Sequence, residues 1–219
     1  MIDRINLSFL IDRLVPDPGQ CRQGAAAQRK AHPDASPLQL AARMVHSAKL
    51  RAAAAGAATG AASSPFTMIP AALADMAAVL RIEGALVGEI GALLDPDSLD
   101  DPHALKTDVI SVIFPAAASQ ALRQVGIRAG ERLSHAAMRK YATEDLVRNL
   151  SRFATRYLGR QLTREAVVAK AIPLVGMGIG AGWNWLEVKA IGRRAIHYYS
   201  KAPIGPALLP NLSPPASPE

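Results

Sequence analysis

Two stretches of very small residues limit what this chain can fold into. Residues 52–62 read AAAAGAATGAA, and residues 171–186 read AIPLVGMGIGAGWNWL, with Gly176, Gly178, Gly180 and Gly182 at every second position. Neither stretch offers the alternating branched and aromatic surface that a sheet stacks on. Alanine is the best helix former, and small side chains let helix axes approach closely. The same bias runs through the chain: half of its 219 residues are apolar, only 5% are aromatic, and 42 are alanine. The fold class that follows is all-α, a compact multi-helix bundle with tight small-residue helix crossings.

Proline, glycine and charge divide the chain into three parts. In residues 1–37 an amphipathic start, with Ile2, Ile5, Phe9, Leu10 and Leu14 at helical spacing, leads into a polar segment, PDPGQCRQGAAAQRKAHPDASP. That segment has no apolar period and reads as a flexible linker, with Cys21 an exposed, incidental thiol. A lone cysteine excludes an internal disulfide framework and a cysteine-based zinc cluster. Asp3, Arg4, Asp12 and Arg13 interrupt the opening apolar run, so it does not read as a signal peptide. Residues 38–200 form the helical body, and residues 201–219, with six prolines, form an extended tail. No charge-free apolar run reaches the roughly 18 residues that a membrane span needs.

Within the body, breakers predict helices over residues 38–62 and 69–94, a stretch from Ala104 divided at Pro115, a helix over 126–141, one from a Thr143 cap to Gly159, a short segment from Thr163, and a last helix over 174–199. Each glycine inside a helix costs about 1 kcal/mol against alanine. The run at 176–182 should therefore be offset by close approach of a neighbour, with the turn around Gly56 and Gly60 as the candidate. Its spacing is not that of a nucleotide-binding loop.

Two polar residues stand out in these apolar helices. Asn184 lies between Trp183 and Trp185, and Asp75 lies among alanines and leucines. A buried amide needs partners for both of its ends, so Asp75 and Asn184 make a candidate polar centre, either structural or ligand-touching. The order of the Ala58-Thr59-Gly60 element, Asp75, and the late IPLVGMGIGAGWNW and IGRRAIHYY segments resembles the EcsC family of bacterial proteins. The resemblance covers residues 41–199. It implies a helical protein without an established catalytic activity, associated with the neighbourhood of an ABC transporter. It marks Thr59, Gly60, Asp75, Pro173, Gly176, Gly180 and Asn184 as family landmarks, together with Ala58, Gly192 and Ala195.

The chain carries a net charge of +7, and part of that excess has a period. Arg148, Arg152, Arg156, Arg160 and Arg164 recur every four positions, a ridge along one side of a helix. Beside an apolar, glycine-rich last helix, such a ridge suits anionic lipid head groups. Without a recognised module or interleaved stacking aromatics, no nucleic acid is expected. Glu131 and His135, at i and i+4, lack the second pair that a di-metal bundle requires, and no nucleophile elbow is present. No cofactor, metal or catalytic residue is assigned. The expected partners are anionic membrane lipid or an integral membrane protein, at the inner face of a membrane in the cytoplasm. Two other readings stay open: a lipid-modifying enzyme using buried carboxylates such as Asp75 or Glu83, and a membrane-inserting helical hairpin over residues 169–186.

Overall fold

A computed structural model describes residues 8–60, 65–124, 143–169 and 176–200, and among them every regular element is a helix. In chain order these are α1 (Ser8–Leu14), α2 (Pro18–Ala31), α3 (Pro37–Gly60), α4 (Pro65–Leu94), a 3₁₀ turn (Pro96–Leu99), α5 (Pro102–Ile113), α6 (Pro115–Gln124), α7 (Glu144–Ala169) and α8 (Gly176–Tyr199). The all-α bundle is the fold observed. Prolines start most of these helices, where the missing N–H costs nothing. Side chains cap several of the starts. Asp17 accepts from Gln20 N at 2.8 Å and Asp101 from His103 N at 2.8 Å, while Ser36 and Gln39 cap each other reciprocally. The expected Thr143 cap accepts from Leu146 N at 3.3 Å.

Two sequence expectations need correction. The presumed linker is helix α2, and Cys21, expected to be exposed, is buried. Only Cys21 and Ala25, one turn apart, face inward from α2. That stripe is too narrow to register as an apolar period. Burial raises the Cys21 thiol to about 12, with Glu89 and Asp17 adding to the effect, so it is an inert core group. The second correction is α7, which runs through Gly159 to Ala169 as one helix. A single glycine costs too little to stop a helix whose other residues hold it. The expected helix at 126–141 and the tail at 201–219 lie outside the described residues.

Helix α4 is the hub, packing on α3, α8, α2, α1 and α5. Gly84, Gly88 and Gly91 form one face of it. A Cβ on Gly84 would run into the Leu14 carbonyl; one on Gly88 would stand 2.5 Å from Cys21 Sγ; one on Gly91 would stand 3.0 Å from the Tyr199 ring. These glycines admit α1, α2 and the end of α8 to the core. On the other side, α3 and α8 run antiparallel, with Val45 against Gly192 and Ala52 against Asn184. Ala41, Ala48 and Ala52 are wholly buried along this seam. Helix α5 is buried on nearly every side from Ala104 to Phe114, as expected of a helix wrapped by others.

Tight crossings thus exist, but at Gly182 the expectation fails, because no heavy atom lies within 4 Å of a Cβ placed there. Gly84→Ala should lower stability by about 1–3 kcal/mol through overpacking, whereas Gly182→Ala should raise it by up to about 1 kcal/mol through helix propensity. Urea midpoints of the two variants check this; equal shifts would contradict the packing described.

Candidate functional site

The α3–α8 seam ends in a polar contact. Asn184, 7% exposed, uses Nδ2 to reach Asp75 Oδ2 at 3.4 Å, Asp75 Oδ1 at 3.5 Å and the Ala52 carbonyl at 3.4 Å. Three helices meet there: α3 through its backbone, α4 through a half-buried carboxylate, and α8 through the amide. The structure brings Asp75 and Asn184 together. The contact sets one amide donor among three acceptor oxygens, two of them on the Asp75 carboxylate.

Outside this contact the same turns of α8 are bare. Trp183 is 60% exposed and Leu186 57% exposed, one turn apart on the outer face. Trp185 lies beneath two cations, with Lys49 Nζ 4.5 Å and Lys189 Nζ 4.8 Å from its ring centre. Partial burial pulls the Lys49 ammonium below its ordinary value, and the neighbouring charges of Lys189 and Arg193 add to the shift. The three cations thus lie near one another across α3 and α8. Lys189, Arg193 and His197 continue the face at four-residue steps. Sequence reasoning noted the two tryptophans only as neighbours of Asn184 and passed over Lys49, which lies 140 positions from Lys189. The available signal was the Trp-x-x-Leu spacing followed by basic residues.

The arginine ridge divides. Arg148, Arg152 and Arg156 are exposed on α7. Arg148 is already paired with Glu144 at 3.2 Å and Asp145 at 3.5 Å, and the Arg156 guanidinium lies 5.8 Å from the Phe153 ring. Residues lining a cavity of about 330 Å³ place Arg148 and Ser151 beside His103 and Lys106 of α5, while the Phe114 and Tyr157 rings meet at a tilt with centres 5.8 Å apart, so α7 runs parallel to α5. Tyr198 donates to Asp108 at 2.7 Å and Arg194 Nε to the Val112 carbonyl at 2.9 Å, so α8 runs antiparallel to both. Arg160 and Arg164 therefore lie on the part of α7 directed toward the end where α8 begins, whereas Arg148 lies at the opposite end. α7 packs mainly on α6, α5 and α1 rather than along α8. The side-chain surroundings of Arg160, Arg164, Thr59, Gly60, Gly176 and Gly180 lie outside the described set, and so does Pro173 altogether.

Among the described residues, neither Asp75 nor Glu83 lines the two cavities found. Glu83 is 1% exposed, its Oε1 has no hydrogen-bond partner among the described residues, and burial pushes its carboxyl well above the ordinary value, with Glu187 adding and Arg194 opposing. A cavity of about 710 Å³ between α2 and α3 is lined by Gln28, His32, Gln39, Arg43, His46 and Ser47, with no carboxylate. The smaller one contains Asp12, bound to Lys106 at 3.0 Å, and the paired Glu144. Neither includes Asp75 or Glu83. Among the described residues no group of three or more His, Cys, Asp or Glu converges as a metal site.

Two outcomes follow. Removing either Asp75 or Asn184 by alanine should cost about 1–3 kcal/mol, with a coupling between them of about 0.5–1.5 kcal/mol in a double-mutant cycle; zero coupling would contradict the contact. Glu83 holds its proton more tightly in the folded state than the ordinary glutamate value of 4.5. Its stabilising contribution is thus full below about that pH and is lost as pH rises toward the folded value. Glu83→Gln should abolish that part of the decline, seen by comparing urea unfolding at acid and neutral pH. An unchanged pH profile would count against a buried, protonated Glu83.

Comparison with family models, with curated proteins and with solved structures gives no significant match to this chain.

Proposed function

We propose that this chain is an EcsC-like helical protein that associates peripherally with an anionic membrane surface, through the outer face of α8 and the neighbouring turn of α3. The observation that carries this reading is the pairing of exposed Trp183 and Leu186 with the Lys49, Lys189 and Arg193 cluster around Trp185. Tryptophan favours the boundary between head groups and acyl chains, and large exposed apolar side chains beside cations suit such a boundary. Arg148, with its own acid partners Glu144 and Asp145, stands apart from this cluster. The resemblance carried by Thr59, Gly60, Asp75, Pro173, Gly176, Gly180 and Asn184 agrees with a bacterial membrane setting at the cytoplasmic face. No helix among the described residues is long and apolar enough to cross a membrane.

The expected strength is moderate. Three cations near an anionic surface contribute about 1 kcal/mol each, and covering Leu186 and Trp183 adds about 1.5–3 kcal/mol per side chain if burial is complete. The sum gives reversible attachment. Flotation on protein-free vesicles with and without phosphatidylglycerol tests it. The full chain should float with the anionic vesicles, and replacing Lys49, Lys189 and Arg193 together by glutamine should weaken binding about a hundredfold. Arg148→Gln should have little effect. Absence of flotation on anionic vesicles, or flotation indifferent to lipid charge, would overturn the reading.

A further inference from the structure

We infer that the cavity between α2 and α3 is a binding site for a phosphate monoester, a function independent of the membrane reading. Helices α2 and α3 both pack on α4, and the space between them, about 710 Å³, is lined by one stripe from each. Gln28 and His32 stand one turn apart at the end of α2, while Gln39, Arg43, His46 and Ser47 follow one another along a single side of α3. Each of these six side chains carries at least one N–H or O–H donor, since even a neutral imidazole keeps one. The Gln39 amide has its oxygen already engaged, because Oε1 accepts from Ser36 N at 2.8 Å. Its remaining polar group is the Nε2 donor. Arg43 has no ion pair among the described residues.

The charge around the cavity has one sign. From Pro18 to Ala74 the sequence holds a single acid, Asp34, against Arg22, Arg29, Lys30, Arg43, Lys49 and Arg51. Asp34, in the turn joining the two helices, and Glu89 of α4, which stands against Gly24 a turn before Gln28, both lie outside the lining. Donors on two sides, a permanent positive charge and no competing carboxylate call for an anion with several acceptor oxygens. A phosphate monoester presents three, and a guanidinium can hold two of them at once. A carboxylate presents only two and would leave more of the donors unmet. Among the described residues no third His, Cys, Asp or Glu joins His32 and His46, which sets the pair apart from a metal site. The volume falls within the range of small-molecule sites, about 300–1,000 Å³. It accommodates the carbon part of an ester as well as its phosphate, with Ala35 and Ala42 as the apolar part of the wall.

Amide shifts of the ¹⁵N-labelled full chain, titrated with glycerol 3-phosphate and separately with vesicles containing phosphatidic acid, test the assignment. Saturable shifts should centre on residues 28–47. Arg43 is exposed, so Arg43→Gln should keep the fold, as its own amide spectrum checks, while weakening binding about tenfold to a hundredfold. His46→Gln, which retains an amide donor, should weaken it less. Lys49→Gln, outside the lining, should leave the soluble ester bound as before, so this site and the membrane surface can fail separately. Arg43-dependent shifts with glycerol 3-phosphate assign the site to a free phosphate ester; Arg43-dependent shifts with phosphatidic acid alone assign it to a lipid head group. Four results overturn the inference: no shifts with either probe, equal shifts with acetate, shifts scattered over Arg22, Lys30 and Arg148, or binding indifferent to Arg43→Gln.

Discussion

The glycine face of α4 is the constraint on which the rest of the molecule depends. Gly84, Gly88 and Gly91 lie on successive turns of a long helix that is otherwise strongly apolar, and each takes up an atom that a side chain would exclude: the Leu14 carbonyl, Cys21 Sγ and the Tyr199 ring. Each glycine weakens the helix by about 1 kcal/mol, and the burial of Leu10, Ile11, Leu14, Cys21 and Tyr199 offsets this. The result turns the first part of the chain from an appendage into a layer of the bundle. It also locks the end of α8 against the end of α4. With that end fixed, the antiparallel seam with α3 sets the position of the rest of α8, including Asn184 and the two tryptophans.

Charge is distributed along the bundle in the same sense. At the end away from the start of α8, acids and bases pair with each other, as in Arg148 with Glu144 and Asp145, and Lys106 with Asp12. In the middle, Glu83 is sealed near Glu187 and Arg194, where burial pushes the Glu83 carboxyl well above its ordinary value and pulls the Arg194 guanidinium below its own. Toward the start of α8, Lys49 lies close to Lys189 and Arg193, and burial with these neighbouring charges pulls its ammonium below the ordinary value.

Much of this architecture was legible in the sequence, and the exceptions have physical reasons. Helical periods over α3 and α4, the division at Pro115 and the Thr143 cap were readable because local chemistry sets them. Asp75 and Asn184 stood out because a polar group in an apolar helix must find a partner. Helix α2 escaped notice because it buries only Cys21 and Ala25, although Asp17 followed by Pro18 is a helix-start signal. The glycines drew attention in the wrong place. The dense run ending at Gly182 faces open space at that residue, while the sparser Gly84, Gly88 and Gly91 permit the close contacts. Nor could the bare face of α8 be foreseen between residues 176 and 186, where no charged residue distinguishes inside from outside and the period is silent. The pairing of Lys49 with Trp185 is a tertiary contact without a local signature.

Hydrogen exchange of the full chain, with and without phosphatidylglycerol vesicles, tests the proposed membrane contact most directly. Amides of α8 around Trp183 to Leu186 and of α3 around Lys49 should exchange more slowly on the vesicles, while α2 and the part of α7 around Arg148 keep their rates. Slowing centred on Arg148, or on the α2–α3 cavity lined by His32 and His46, would contradict the orientation described, and unchanged exchange throughout would contradict membrane association itself.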